Sequence, residues 1–402
     1  MSFFIKNKID FRAHNEEVAR VWQAYYQGRA YRVPVSVVGS ITNYLLNHHV
    51  NTKSWSFRDF FEDPETHIQA QLEYQKWQRF HWVCDRPMGL PEDGWCVNVD
   101  FQNSFDAGWA GCPLEYIPDQ VPDTREILNE HKEKLYEFPK ELPADHGLMK
   151  RVVEFQDYMI DSCKHREYEG RPVHVMQTTC GEGTDGPLDL AYKLRGADNL
   201  LVDMLTDQKY FHDLMTWVTD NLIRRMKRMR QRRWDKFPES LDKDKFKQAK
   251  FYFADDAIAL ISTKQYREYV YPYHKRLVDE FCDGSVDIHL CGDATRHFSF
   301  LANHLNVRSF DTGFPVDHGR LREELGMDVE IKGGPTVMVI KDGTAEDIRQ
   351  QVKRICNSGV MAGGKFVMIA ANNVAPRTPV ENIRTLYEAS ISFGGIRNDE
   401  PA

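Results

Sequence analysis

Nowhere does the sequence of 402 residues hold the roughly 20 consecutive apolar residues that a bilayer-crossing helix needs, so no membrane-spanning helix is expected. The opening Met1-Ser-Phe-Phe-Ile-Lys6 turns polar too soon for a secretory leader, and a cytoplasmic protein is expected. Paired cysteines are also missing. Cys84, Cys96, Cys112, Cys163, Cys180, Cys282, Cys291 and Cys356 are scattered without a CxxC pair, as suits small buried hydrophobes in a reducing compartment. Positive charge is in deficit, with 52 Lys and Arg against 60 Asp and Glu and a net charge of -8. That balance repels a phosphate backbone, so nucleic acid is not an expected partner. The single basic run, Arg224 to Arg233, carries Leu222, Met226, Met229 and Trp234 at helical spacing and is expected as a solvated helix surface with one buried face. Internal repeats and low-complexity segments are absent. What remains is ordinary for a globular chain: 42% hydrophobic and 28% charged residues, enough for a sizeable core.

The length allows two or three domains, or one barrel. Eight short apolar segments end in polar or glycine-rich sequence and are expected as strands: Val33 to Gly39, Phe80 to Cys84, Pro172 to Thr178, Lys250 to Ala254, Val286 to Leu290, Val307 to Asp311, Val329 to Gly333 and Phe366 to Ala371. Helical patterns fill most of the intervals, among them 64–78, 188–233, 263–281 and 344–358, with Ser262-Thr263 and Thr344 with Asp347 as helix starts. The alternation predicts an α/β chain folded as one (β/α)8 TIM barrel spanning 1–402, with an N-terminal extension. Residues 86–170 are too long for a normal connection and are expected as an inserted lid.

Reactive groups of such a barrel gather where strands end. The expected ends carry Asp85, Asp255, Asp256, His289, Cys291, Asp311, Lys332, Asn372 and Asn373, in strands where an unpaired ionisable group is costly. His289-Leu-Cys291-Gly292 is the sharpest feature, because residues i and i+2 of a strand face the same way and can grip one ion. Imidazole plus thiolate suits Zn2+, and Asp255 or Asp256 is the best placed third ligand, leaving a position open to substrate or water. Two other patterns fail. Gly181-Glu-Gly183-Thr-Asp185-Gly186 fits GxGxxG, but Glu182 and Asp185 would face a pyrophosphate with like charge. Asp287-Ile-His289-Leu-Cys291-Gly292 fits a corrinoid-binding signature, yet Ser299-Phe-Leu301 follows too soon for the rest of that domain.

From about Ile68 onward the chain resembles the uroporphyrinogen decarboxylase superfamily, which includes corrinoid-dependent methyltransferases. The stretches that carry the resemblance are Gly186-Pro-Leu-Asp-Leu-Ala-Tyr-Lys-Leu-Arg-Gly196, Asp255-Asp256 with Ser262 and Tyr266-Arg-Glu-Tyr-Val-Tyr-Pro272, His289-Leu-Cys-Gly292, Asp311, Gly343-Thr-Ala-Glu-Asp-Ile348 and Ala375-Pro-Arg-Thr-Pro-Val-Glu-Asn-Ile383. The arginine clamp of the decarboxylases has no match around Pro34 to Asn47. The methyltransferase branch holds zinc by a His-x-Cys pair, matched by His289 and Cys291, and a distant Cys, where this chain has Asn372. That substitution argues against transfer to a thiol and favours relatives that resemble ether demethylases.

The expectation is a zinc-dependent methyltransferase that moves a methyl group from a small methylated donor to the Co(I) corrinoid of a partner protein. Asp85, Asp311, Lys332 and Asn372 are its expected catalytic groups, and His289, Cys291, Asp255 and Asp256 its metal ligands; Glu268 is a weaker ligand candidate. Aromatics crowd the insertion, so Trp95 and Trp109 are expected to bind a methoxylated aromatic, or else only to pack the insertion down. Metal-independent decarboxylation of a small acid and a noncatalytic ligand-binding barrel are the alternatives. The resemblance also implies that a homodimer is possible.

Overall fold

The computed structural model describes every residue except Met1, Asn7, Leu241, Asp244 and 397–402. Among the described residues, the strands longer than two residues are, in chain order, β1 (Trp95–Val97), β2 (Arg171–Val175), β3 (Gln248–Ala254), β4 (Cys282–Leu290), β5 (Val307–Thr312), β6 (Glu330–Gly333) and β7 (Phe366–Met368). The last five form one parallel sheet in the order β7-β6-β5-β4-β3. Parallel neighbours need long crossovers, and helices Tyr271–Phe281, Thr295–His304, His318–Leu325 and Ala345–Cys356 supply them in turn. Phe251, Phe253, Val286, Ile288, Leu290, Phe310, Ile331 and Phe366 are buried, the near-continuous apolar content of a covered parallel sheet. Each such side chain contributes roughly 1.5–3 kcal/mol by leaving water.

Register brings the reactive residues abreast. Ala254 pairs with His289, His289 with Asp311, Asp311 with Lys332 and Lys332 with Val367, forming one row across all five strands. Because side chains alternate along a strand, a slip of one residue would turn His289 and Asp311 away from each other's face.

The amino-terminal third departs from the expected regular strands. Residues 33–39 make a single parallel bridge, Val35 to Met368, supported by Ser36 N–H donating to Met368 O at 2.8 Å and Met368 N–H donating to Pro34 O at 2.9 Å. Pro34 has no N–H to give, which limits any longer ladder. The expected strand at Phe80 to Cys84 begins inside helix Pro64–His81, and the chain beyond it is held by Asp85 N–H donating to Val35 O at 2.8 Å. Among the described residues, no ladder joins β2 to β3.

Residues 86–170 do more than cover. Their strand β1 pairs in parallel with β2, Trp95 opposite Val173, so the insertion takes part in the sheet structure. Trp95 and Trp109 are 1% and 0% exposed, and their indole N–H groups donate to Tyr168 O and Pro143 O, both at 2.8 Å. These rings pack the insertion in place.

Two helical expectations divide on inspection. The pattern at 188–233 becomes Pro187–Arg195, Ala197–Thr206 and Gln208–Lys236, broken by Gly196 at φ 82° and by Asp207, whose side chain caps the third helix. In that third helix Leu222, Met226, Met229 and Trp234 are buried as expected, but so are Arg225, Arg230 and Arg233, which corrects the picture of a solvated basic face. The pattern at 263–281 holds a π-helical turn, Tyr266–Val270, before helix Tyr271–Phe281. Pro272 lacks the N–H that a regular helix would use there, and the ladder widens instead.

The N-terminal helix Phe11–Tyr26, capped by Asp10, lies against the start of the sheet: Tyr25 Oη donates to Glu330 Oε2 at 2.6 Å, and Trp22 Nε1 to Asp85 O at 2.7 Å. Beneath it Arg32 grips Asp85 through both guanidinium ends, at 2.8 and 2.7 Å, while Val35 N–H donates to the same carboxylate at 2.7 Å. Both side chains are buried. Asp85 is therefore a structural anchor, and the expectation of a catalytic role is corrected. Asp85→Ala takes the two-pronged partner from a buried guanidinium, leaving it the longer contact to Glu17 at 3.5 Å, and should lower the unfolding free energy by about 3–5 kcal/mol in urea titrations. The double variant Arg32→Met, Asp85→Leu should recover most of that loss.

Candidate active site

The site is built where β3 and β4 end. Gly186, at φ 108°, precedes helix Pro187–Arg195, and a Cβ there would lie 2.3 Å from Ala254 O and 2.6 Å from Asp255 Cβ. Only glycine lets the helix start come so close to the end of β3. The two segments then exchange carboxylates. Leu188 N–H and Asp189 N–H donate to Asp255 at 2.9 and 3.0 Å, while Asp256 N–H and Ala257 N–H donate to Asp189 at 2.9 and 2.8 Å. Each acid satisfies backbone donors at the start of a helical segment, where negative charge is favoured.

This clamp decides which of the paired aspartates faces the cleft. Asp255 is fully buried, and its Oδ2 also meets His274 Nε2 at 2.7 Å. His274 Nδ1 in turn lies 3.0 Å from Tyr266 Oη, on the π-helical turn. Burial raises the Asp255 pKa and lowers that of His274 to about 3, so the imidazole is neutral. With both oxygens occupied inside the protein, Asp255 does not belong to the metal set, and that expectation is corrected.

Asp256 is placed differently. One ligand atom from each of Asp256, His289 and Cys291 lies within 4.8 Å of the others. Cys291 N–H donates to Asp256 Oδ1 at 2.6 Å, His289 Nε2 is 3.1 Å from Cys291 Sγ, and Asn372 Nδ2 donates to the same sulfur at 2.9 Å. On the other side of the ring, His289 Nδ1 is 3.1 Å from Asp311 Oδ2. That pairing fixes the ring and leaves Nε2 turned toward the sulfur. Burial alone would lower the His289 pKa, but hydrogen bonds to Asp311 and Cys291 and their charges lift it to about 11. Burial pushes the Cys291 thiol up. A nitrogen, a sulfur and an oxygen donor at this spacing, with a carboxylate behind the imidazole, fit a zinc ion. A divalent cation there would displace the proton from His289 and stabilise the Cys291 thiolate.

The cluster opens into a cleft of about 470 Å³. Asp311, Asn372 and Asn373 line it together with Asp256, His289 and Cys291. Lys332, although next to Asp311 in register, does not line the cleft, and its Nζ pairs with Glu330 Oε1 at 3.1 Å. Asp85, Trp95 and Trp109 are not in the wall either. The aromatic faces that are present belong to Tyr192 and Tyr252.

Sequence reasoning missed four wall residues that matter: Asn103, Asp106, Asp185 and Asp189. Arg225 binds Asp106 and also donates to Gly183 O at 2.7 Å, while Thr184 Oγ1 and Asp185 N–H donate to Asp106 at 2.8 and 2.9 Å. The buried arginine of the basic helix thus fixes the loop after β2. A signal did exist for Asp185. An acid in a glycine-rich loop after a strand disqualifies a phosphate site, and the same charge makes it a candidate for other chemistry.

Residues 249–393 match the Uroporphyrinogen decarboxylase (URO-D) family. Over 333 residues the chain is 24% identical to a methylated-thiol–coenzyme M methyltransferase of Methanosarcina mazei, covering 81% of this chain and 78% of the relative. A methylcobamide:CoM methyltransferase of the same organism is 22% identical over 136 residues, 33% of this chain and 38% of that one. Among solved structures, a methyltransferase from Methanosarcina mazei aligns with a TM-score of 0.59 at 15% identity, over 94% of this chain and 98% of its own. The parallel sheet, the His-x-Cys pair at the end of β4 and these matches agree: over residues 249–393 the chain is similar to the uroporphyrinogen decarboxylase family, and over most of its length it is similar to a methyltransferase.

Proposed function

We propose that the chain is a zinc-dependent methyltransferase that takes a methyl group from a small methylated donor and passes it to the Co(I) corrinoid of a partner protein. The observation that carries the reading is the convergence of Asp256, His289 and Cys291 on one point in the cleft, in a chain similar to methyltransferases. The proposed architecture is the closed (β/α)8 barrel of the superfamily, with the insertion at 86–170 as part of its rim.

Asp256, His289 and Cys291 would hold the zinc. When bound, it would act as a Lewis acid on the donor heteroatom from which the methyl group departs. Asp311 orients His289, and Asn372 donates to the Cys291 sulfur, drawing charge from it and so strengthening that Lewis acidity. We assign the donor to neutral methoxylated aromatics, so that the reaction is an O-demethylation. Tyr192 and Tyr252 offer ring faces, and Asn103 and Asn373 offer hydrogen bonds to ring substituents. Asp106, Asp185, Asp189, Asp256 and Asp311 line the same cleft, and a carboxylate-bearing donor would meet like charge from those that are ionised. That lining also weighs against decarboxylation of a small acid. A methylated thiol is the second reading, favoured by the soft Cys291 ligand and by the donor named for the relative from Methanosarcina mazei.

The reading is tested by incubating purified protein and reduced corrinoid protein with methoxylated aromatics, methylated thiols and methylamines, and following methylcobalamin formation by its absorbance. Methylation from an aryl methyl ether is expected; transfer from thiols alone would move the assignment to the second reading, and no transfer from any donor would overturn it. Metal analysis provides a separate check. His289→Ala and Asp256→Ala should lose zinc, whereas Asp255→Asn should keep it and melt at a lower temperature. Asp311→Asn should weaken zinc affinity roughly 10- to 100-fold, the usual effect of removing a carboxylate behind a ligating imidazole.

A further inference from the structure

Five aspartates share the cleft, and four of them are already engaged. Asp106 is neutralised by Arg225, Asp189 holds two backbone N–H groups, Asp256 accepts from Cys291 N–H, and Asp311 faces His289. Asp185 is the exception. It lines the cleft, and its carboxyl has no hydrogen-bond partner among the described residues, although its own backbone N–H is tied to Asp106. The loop that carries it is held by Arg225 and Thr184, so the backbone at Asp185 is fixed while its carboxyl oxygens stay free for a ligand.

The chemistry of the proposed reaction calls for such a group. When an aryl methyl ether gives up its methyl group, the ring oxygen keeps the electron pair of the broken bond and would leave as phenolate. Zinc on that oxygen would offset part of the charge, but an anion leaving the zinc among these carboxylates is still opposed by theirs, so the product should leave the cleft as the neutral phenol. The proton must come from a nearby acid. Burial and the charges of Asp106, Asp189 and Asp256 push the Asp185 carboxyl well above the ordinary carboxylate range, against an opposing pull from Arg225. Lys193, the nearby cation of the wall, is turned to Asp123 at 2.7 Å.

We propose that Asp185 is a catalytic residue, the general acid that protonates the departing oxygen of the methyl donor. The O–CH3 bond breaks with its electron pair left on oxygen, the Asp185 proton moves to that oxygen, and the methyl carbon takes the electron pair of the acceptor's Co(I), which is oxidised as the carbon–cobalt bond forms. Asp185 is left as carboxylate and recovers its proton from water once the phenol has gone.

This inference rests on the methyltransferase reading, so the experiment has two arms. In the first, rates of corrinoid methylation are compared for wild type and Asp185→Asn across methoxybenzenes whose product phenols differ in acidity. The variant should lose roughly 10²- to 10⁴-fold with the least acidic phenol, the usual worth of a general acid, and progressively less as the leaving phenol becomes more acidic. An equal loss with every donor would mark Asp185 as merely structural and overturn the proposal. In the second arm, infrared difference spectra of the resting proteins at neutral pH should show a protonated carboxylic acid in wild type that Asp185→Asn removes; no such difference overturns the proposal whatever the rates. Wild-type protein inactive with every donor would overturn the methyltransferase reading and with it this role. The infrared arm would then still tell whether Asp185 carries a proton.

Discussion

Asp189 and Asp255 each take backbone N–H groups from the other's segment, and the site depends on that exchange. It joins the start of helix Pro187–Arg195 to the end of β3, sets the backbone of Asp256, and thereby decides that Asp256 rather than Asp255 faces Cys291. Four hydrogen bonds from backbone N–H groups to carboxyl oxygens tie the two short segments together. Their neighbours are chosen to suit. Gly186 permits the close approach, and His274, backed by Tyr266, meets the remaining valence of Asp255. The consequence is a rigid edge from which one carboxylate projects into the cleft.

Parallel register supplies the other half of the centre. His289 and Asp311 lie on adjacent strands directly across from one another, and Cys291 lies two residues beyond His289. No loop has to close to bring imidazole, thiol and orienting carboxylate together. Side chains borne on paired strands are held more precisely than those on loops, as the proposed metal site with its open position would require.

The carboxyl-terminal half of the chain was legible in its sequence. Apolar runs ending in Ala254, Leu290, Asp311, Gly333 and Ala371 stand as strands or end within a few residues of one, and the His-x-Cys pair lies in the cluster with Asp256. The amino-terminal half was harder, because Pro34 interrupts any ladder and Phe80 continues a helix whose pattern reads equally well as a strand entry. Asp85 and Asp255 stand beside chemistry in the sequence, yet Arg32 and His274, which occupy them, lie 53 and 19 residues away. Residue type at a strand end marks a place where charge is tolerated. Only tertiary partners say whether that charge is spent inside the protein or offered to a ligand. The large aromatics misled for a similar reason: Trp95 and Trp109 have indole N–H groups that need partners, and they found them in the backbone of the insertion itself.

The wall of the cleft draws on several parts of the chain, among them the 184–193 segment after β2 that carries Asp185. His289, Cys291 and Asp311 come from the sheet or the residues just past it, whereas Asn103, Asp106 and Ala107 come from the insertion between helix Pro64–His81 and β2. The insertion is anchored by its own strand β1 and by Arg225. Changes at Asn103 or Ala107 of the insertion would reshape the cleft wall while leaving His289 and Asp311 on their paired strands.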